Sequence, residues 1–395
     1  MKLIEVKDKK TQRQFLEVPK ILYKNDPFFV CPLDSEINGI FDPKKNLYFN
    51  DGEAIRWILK DDRGKLIGRV AAFYNMKKAR MFDPLAGQMG FFECINNREA
   101  AFMLFDAAKE WLKSKNMGCM DAPTNFGENQ NYWGLLVKGF MPQGFGMPYN
   151  FPYYQQLFED YGFKNFYEQY SYHRYIPDAF PERFNKIAEW VAKREGITYK
   201  HINFKESEKF IADMVEIYNE AWAQLKSDFI PMEPSTIRDV FKKSKSIIDE
   251  ELIWFAYKNE EPAAFYVIFP DINQILKHIN GKLNFFNILK LLYYKRKGAI
   301  NRARALVAGV KPKYQNKGIE SGFFKILFEL LQNKPYKEIE LSWVGDFNPK
   351  MLAFYKGIGG VEAKMHITYR YMFDPNVPFI RFKDMKHNSD QNNNE

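Results

Sequence analysis

The stretch Val310–Leu331, VKPKYQNKGIESGFFKILFELL, decides how the rest of the chain is read. It has the form of a strand end, a glycine-bearing turn and a helix of period about 3.6, an arrangement that can seat a phosphate on a helix N-terminus. Glu320 lies inside that turn. A carboxylate ~7 Å from a phosphate costs on the order of 2 kcal/mol at an effective dielectric of ~20. A Glu in the first turn of a helix also suits the macrodipole when no anion is bound. By itself the stretch supports two readings, a phosphate cradle or a plain helix start.

Outward from this stretch, the chain repeats one order of elements twice. The first half offers strands AIRWILKD and KLIGRVAAFYN, a strand QMGFFECI, a helix REAAFMLFDAAKEWLKSKN, a short strand CMDAP, a helix PYYQQLFEDYGF and a strand FYEQYSYHRYI. Asn97 or Asn96 can cap the long helix, with Glu99 placed to bond back to the cap. The second half offers LIWFAYKN, AAFYVIF, ARALVAGV, the helix GIESGFFKILFELLQ, EIELSWV, the helix NPKMLAFYKGIG and AKMHITYRYMF. Even the last strands agree, SYHRYI against ITYRYM. The fold class this predicts is α/β (α+β): two tandem units, each a mixed, mostly antiparallel central sheet flanked by helices. The proline-bearing segment IPDAFPER is the joint, giving units 1–176 and 177–375 and a polar tail 376–395.

Composition narrows the function. With 395 residues and 46% hydrophobic content the chain can bury two ordinary cores, and its 37 Phe and 23 Tyr suggest at least one groove lined with rings. Cys31, Cys94 and Cys119 have no metal-ligand spacing and cannot form a disulfide framework, which predicts a reducing cytoplasm and no metal. No apolar run reaches the ~20 residues that span a bilayer, and MKLIEVKDKKTQRQF lacks the apolar core of a leader. A charge of +9 favours anionic partners without selecting a nucleotide, a membrane surface or a nucleic acid.

The repeated order of hairpin, strand, helix, strand, helix and strand resembles the GNAT acyltransferase superfamily. In that family the turn after the fourth strand carries Q/R-x-x-G-x-G/A, whose backbone N–H groups hold the pyrophosphate of coenzyme A. Here Gln315-Asn316-Lys317-Gly318-Ile319-Glu320 fits five of six positions. Tyr355, in NPKMLAFYKGIGG, stands where the family places a tyrosine that protonates the departing thiolate. Asn348 stands where an asparagine contacts the pantetheine arm. The resemblance thus implies a coenzyme A thioester as co-substrate, held by Val310, Gln315, Asn316, Lys317, Gly318, Ile319, Ser321 and Asn348, with Tyr355 as general acid. A primary amine would attack a carbonyl polarised by backbone N–H near Gly309 or Val310. The first half has no glycine in ECINNREAAF and has Phe158 where the tyrosine would stand, so its cofactor site is expected to be lost. By residue type Glu340, Asp271, His278 and His366 are candidates for the base, with Glu340 on a strand equally readable as a solvated face.

LYKNDPFFVCPL, KLIGRVAAFYN, NQNYWGLLVKGF and PYYQQLFEDYGF are similar to a group of bacterial GNAT-like proteins that includes bacterial ceramide synthases. That likeness implies a long acyl chain moved onto a sphingoid amine, at a cytoplasmic or peripheral inner-membrane location. Two long inserts fit it. APTNFGENQNYWGLLVKGFMPQGFGMPYNFPYY reads as a functional loop or as a turn network of asparagines. PDINQILKHINGKLNFFNILKLLYYKRKGAINRARA can lie on an anionic membrane, line an acyl-chain tunnel or form a core helix. Competing functions are an acetyl-CoA-dependent transferase of a small amine or amino acid, a transferase using aminoacyl-tRNA, and a non-catalytic binding protein of the same fold. Nucleic acid is not favoured.

Overall fold

The architecture is that of a computed structural model, which describes residues 1–127, 131–223, 231–245 and 247–385. The first half comprises β1 (Lys2–Glu5), α1 (Lys9–Leu22), α2 (Asp34–Ile40), β2 (Gly52–Lys60), β3 (Leu66–Asn75), α3 (Met76–Ala79), β4 (Ala86–Cys94), α4 (Arg98–Ser114), β5 (Cys119–Ala122), β6 (Leu135–Lys138), α5 (Tyr154–Tyr161) and β7 (Lys164–Tyr175). The second half opens with α6 (Glu182–Glu195), β8 (Ile197–His201), α7 (Ser207–Ala223), α8 (Pro234–Ser244), β9 (Ile253–Lys258) and β10 (Glu261–Pro270). It continues with α9 (Asn273–Leu276), α10 (Phe285–Arg296), β11 (Arg302–Val310), α11 (Ile319–Gln332), β12 (Glu338–Glu340), β13 (Val344–Gly345), α12 (Pro349–Gly357) and β14 (Val361–Met372).

Local chemistry sets these elements. Asn97 caps α4 by accepting from the N–H of Ala100 at 2.8 Å, and Ala101, Leu104, Phe105, Ala108 and Leu112 line the face buried on the sheet. α11 buries Ile319, Phe323, Phe324, Leu327, Phe328 and Leu331 in the same way. Each fully buried Leu or Phe contributes about 1.5–3 kcal/mol relative to exposure, so the two helices anchor the two large cores.

Among the described residues fourteen strands join one mostly antiparallel sheet, twelve in the order β1-β2-β3-β4-β5-β14-β7-β12-β11-β10-β9-β8, with β6 paired to β14 and β13 to β7. The two final strands have changed places. β14 ends the second half yet pairs with β5 of the first, while β7 ends the first half yet pairs with β12 of the second. They also pair with each other over a long antiparallel seam, with His366 opposite Gln169 and Lys364 opposite Ser171. Dividing the chain at Pro177 therefore separates two halves of sequence but not two sheets.

Strand alternation gives the seam two unlike faces. Met365, Ile367 and Tyr369 join the core under α4 and α5. Lys364, His366, Thr368, Gln169, Ser171 and His173 are buried on the other face. Over that polar face runs the insert between β5 and α5. Its residues Glu128, Asn129 and Gln130 lie outside the described residues, as does the end of the tail from 386. The described part of the tail packs back, with Arg381 donating to Asp346 at 2.8 Å.

Candidate active site

In the second half the ladder between β11 and β12 is short. It pairs Arg302, Ala303 and Arg304 with Glu338, Ile339 and Glu340, and then the strands part, because Leu341 donates instead to Tyr172 of β7. β11 carries a bulge at Leu306, just beyond the parting point, where the pairing with β10 skips from Ala305 to Val307. Bulges re-aim backbone groups beside sites. Lys311 N–H is bonded to Ala263 of β10, so by the period of two Ala308 and Val310 turn their backbone polar groups into the V. One of them is used: Gln315 Nε2 donates to the carbonyl of Val310 at 3.2 Å.

Beyond β11 the turn is shaped for anions. Asn316 (φ 59°) and Gly318 (φ 77°) are both left-handed, which folds the backbone N–H groups inward. Gly318 starts α11 without any side-chain cap. A cavity of about 490 Å³ lies against this uncapped end, lined by Asn316, Lys317 and Gly318 from the turn and by Lys186, Ile187 and Trp190 from α6. No sequence signal marks those α6 residues, because a helix in the joint between two repeats has no counterpart in either. α6 is held there by close packing: a Cβ on Gly318 would stand 3.1 Å from both Ile187 and Val191.

Glu320 does not line that cavity. It lies beside Tyr199 of β8, and burial pushes its carboxyl pKa up while its own backbone N–H partly offsets the shift. Tyr199 closes this side of the turn, its hydroxyl donating to the carbonyl of Ile319 at 3.1 Å. The residues present fit a diphosphate at Asn316, Lys317 and Gly318, with Lys186 and Lys317 on the cavity wall and Glu320 off it, its carboxylate folded back on its own N–H. Ile319 and Ser321 are buried, and Ser321 N–H is taken by the carbonyl of Gly318 at 3.0 Å.

Tyr355 lies under the sheet on the α11 side, packed against Tyr172 at 5.6 Å, with its hydroxyl 3.0 Å from Ser342 Oγ just past the parting point of the V. Burial pushes its pKa up to about 12, so it stays protonated and can donate at neutral pH. Asn348 caps α12, its Oδ1 accepting from Met351 N–H at 3.2 Å.

On the opposite face the apex of the V is a buried charged cluster. Lys364 Nζ donates to Glu340 at 2.7 Å, and His173 and Arg302 stand 3.4 and 3.9 Å from the other carboxylate oxygen. Against the burial that would raise it, Lys364 and Arg302 hold the Glu340 carboxyl well below the usual carboxylate range. It is fully buried, so it is no solvated strand face. Asp271 takes Arg302 Nε at 2.6 Å and also the N–H of Phe145, which ties the covering loop to β11. Burial drives His366 down to about 3, keeping it neutral, with Nε2 3.4 Å from the carbonyl of Pro148. Arg304 lies over Trp133, and its Nε and Nη1, like Glu340 Oε2 and His366 Nδ1, have no hydrogen-bond partner among the described residues. Of the four base candidates, Glu340, Asp271 and His366 thus share one cluster. His278 is apart, stacked on Tyr294 of α10 at 3.7 Å. The arrangement can place a donor from one face of the sheet and an acceptor from the other, meeting at the V.

The first half has the same V with its strand end occupied. β4 pairs with β5 only from Ala86 to Gln88, which makes Cys94 the counterpart of Val310. Tyr154 accepts the N–H of Cys94 at 2.8 Å and Tyr153 donates to its carbonyl at 2.7 Å. Buried Glu93 is held by Tyr23 and Tyr154 at 2.7 and 3.0 Å.

No protein-family model matches the chain. It is 26% identical over 378 residues to the bacterial ceramide synthase of Caulobacter vibrioides, covering 93% of this chain and 97% of that protein. It is also 26% identical over 372 residues to protein YghO of Escherichia coli, covering 92% and 93%. Among solved structures, a tandem GNAT protein from the clavulanic acid biosynthesis pathway matches 95% of this chain and 99% of its own, with TM-score 0.55 at 11% identity. A GCN5-related glucosamine N-acetyltransferase region in a fungal β-N-acetylglucosaminidase matches 94% of this chain and 38% of its own, also with TM-score 0.55, at 12% identity. The chain is a tandem GNAT-fold protein, similar in sequence to the bacterial ceramide synthase and YghO.

Proposed function

We propose that this chain is an acyl-CoA-dependent N-acyltransferase, moving a long-chain acyl group from coenzyme A to the primary amine of a sphingoid-like lipid. The observation that carries the donor is the cavity at the uncapped start of α11, where the turn predicted to hold a pyrophosphate meets two lysines. The likeness to a bacterial ceramide synthase supports the long chain and the lipid amine. In this reading residues 177–375 hold the donor site, and residues 1–176 supply the covering loop and the exchanged strand. The enzyme works in the cytoplasm and touches an anionic membrane peripherally.

Each group then has a task. Asn316, Lys317, Gly318 and Ile319 hold the diphosphate, Lys186 adds charge and Trp190 offers a ring to the adenine. Gln315 and Ser321 shape the turn, and Asn348 fixes the start of α12. The thioester enters the V beside Val310, whose strand supplies N–H groups to the carbonyl oxygen as negative charge develops there. The amine nitrogen attacks the carbonyl carbon and the C–S bond breaks, with Tyr355 giving its proton to the departing sulfur. Ionised Glu340 and neutral His366 are both too weakly basic to keep the ammonium proton, so they orient the amine from the other face while its proton leaves to water.

Thermal shift with acetyl-CoA, palmitoyl-CoA and tRNA tests this reading. A ligand that binds only the folded state stabilises it by about 2.7 kcal/mol at 100 times its Kd. The expected order is palmitoyl-CoA above acetyl-CoA, with no response to tRNA. No response to any coenzyme A thioester would sink the proposal.

A further inference from the structure

α10 is apolar nearly all round, a pattern that belongs to helices with no free face. None of its residues is buried. Its inner edge is tethered: Leu291 and Tyr294 pack in a cluster with Ile272, Ile275 and Ile279, and Lys290 donates to the carbonyl of His278 at 2.8 Å. Among the described residues nothing covers the outer edge. Phe285, Phe286, Ile288, Leu289, Leu292 and Tyr293 are all more than 40% exposed, Phe286 at 78%. At 100° per residue these six fall on one contiguous face.

The charge carried by this segment has one sign, with Glu17 of α1 reaching Lys282 alone of its lysines, at 3.9 Å. From Ile272 to Ile319 the sequence contains no Asp or Glu, while Lys282, Lys290, Lys295, Arg296 and Lys297 flank the helix or end it. The field shows in His278, whose pKa is lowered by burial and then by Lys277 and Lys290. We infer that the outer face of α10 is a docking surface for an anionic lipid bilayer, its aromatic and aliphatic side chains entering the headgroup boundary and its basic rim meeting lipid phosphates.

A second copy of the chain fits this face poorly. Two-fold packing would set one basic rim against the same basic rim, with no acidic residue of this segment to relieve it. The surface also lies close to the V. Phe145, in the same cluster as Leu291 and Tyr294, belongs to the loop over the polar seam and is tied to Asp271. A bilayer at α10 would therefore present its lipid next to the acceptor face. This last step rests on the function proposed above; the docking surface itself does not.

Co-sedimentation of the full chain with phosphatidylcholine vesicles, with and without phosphatidylglycerol, tests the inference in the absence of any acyl donor. Binding about tenfold tighter to the anionic vesicles is expected, weakening as NaCl rises from ~0.1 to ~1 M and the screening length falls from about 10 to 3 Å. Phe286→Ser/Leu289→Ser should reduce binding about tenfold with an unchanged melting temperature, and Lys295→Glu/Arg296→Glu should abolish the preference for phosphatidylglycerol. Equal binding to both vesicle types, wild-type binding by the serine variant, or sedimentation equilibrium showing a dimer that this variant dissociates would each overturn it. Transfer to a detergent-dispersed long-chain amine, with no bilayer present, separates the two ideas. The serine variant should keep that activity, whereas failure of the proposed function abolishes it in the wild type and leaves vesicle binding intact.

Discussion

The two strand-to-helix junctions of this chain occupy the same place in the fold and are built for different ends. After β4 only Ile95, Asn96 and Asn97 intervene before α4, and Asn97 caps that helix with its own side chain. After β11 a connection from Lys311 to Gly318 intervenes, and α11 begins with no side-chain cap. The strand ends differ likewise. Both backbone groups of Cys94 are held by tyrosine hydroxyls, whereas at Val310, among the described residues, only the carbonyl has a side-chain partner, Gln315. A helix start that satisfies itself has no use for a phosphate, and one left open beside two lysines does. Repetition of the architecture thus preserved the scaffold, and on the function proposed above local sequence assigns the chemistry to one copy.

The largest expected effect comes from exchanging hydroxyls between the two copies. Tyr355→Phe should lower kcat about 10²- to 10⁴-fold with the Kd for coenzyme A nearly unchanged, measured by single-turnover rates and calorimetry. Tyr154→Phe in the first half should leave kcat intact and cost about 1–3 kcal/mol in urea unfolding, because Glu93 and Cys94 lose a buried partner. Equal loss of turnover in both would erase the distinction.

Next is the cluster under the covering loop. Asp271→Asn should destabilise by about 3–5 kcal/mol, since it leaves Arg302 buried beside a neutral group. The same cluster sets a pH response. His366 is depressed from 6.5 to about 3 in the folded chain, so below pH ~6.5 the unfolded chain takes up a proton that the folded one does not. Its contribution is fully present above pH 6.5 and is lost as pH falls toward 3. His366→Gln should reduce the slope of unfolding free energy against pH by up to ~1.4 kcal/mol per unit in that window.

The smallest effects lie at the helix starts. Lys186→Ala should raise the Kd for coenzyme A about three- to tenfold, less so at high salt, because it removes one exposed charge from the cavity rim. Asn97→Ala should cost about 1 kcal/mol of stability and leave the coenzyme A response unchanged. A change in that response would give the first half a share in donor binding.

Reading the sequence recovered the hairpins, the two long helices and the turn at Gly318, and it narrowed the α4 cap to Asn97 or Asn96, of which the structure uses Asn97, because each depends on neighbours within a few residues. It left the insert around α10 open among three environments, and the exposure of Phe285 and Phe286 rules out the core helix. It left Glu340 between a solvated face and a base, and burial beside Lys364 and Arg302 removes the first.

The exchange of final strands is of another kind. SYHRYI and ITYRYM have the same alternation of polar and ring-bearing residues, so either can fill either edge by local criteria. Which one does is decided by partners far away in sequence: Arg370 with Asp121 at 2.6 Å, Thr368 with Gln169 at 2.9 Å, and His366 opposite Gln169. The sequence by itself determined what each segment is, through period, caps and turn residues. Only the tertiary structure decided which half each last strand completes and what lies at the V, because pairing and burial depend on contacts more than a hundred residues apart.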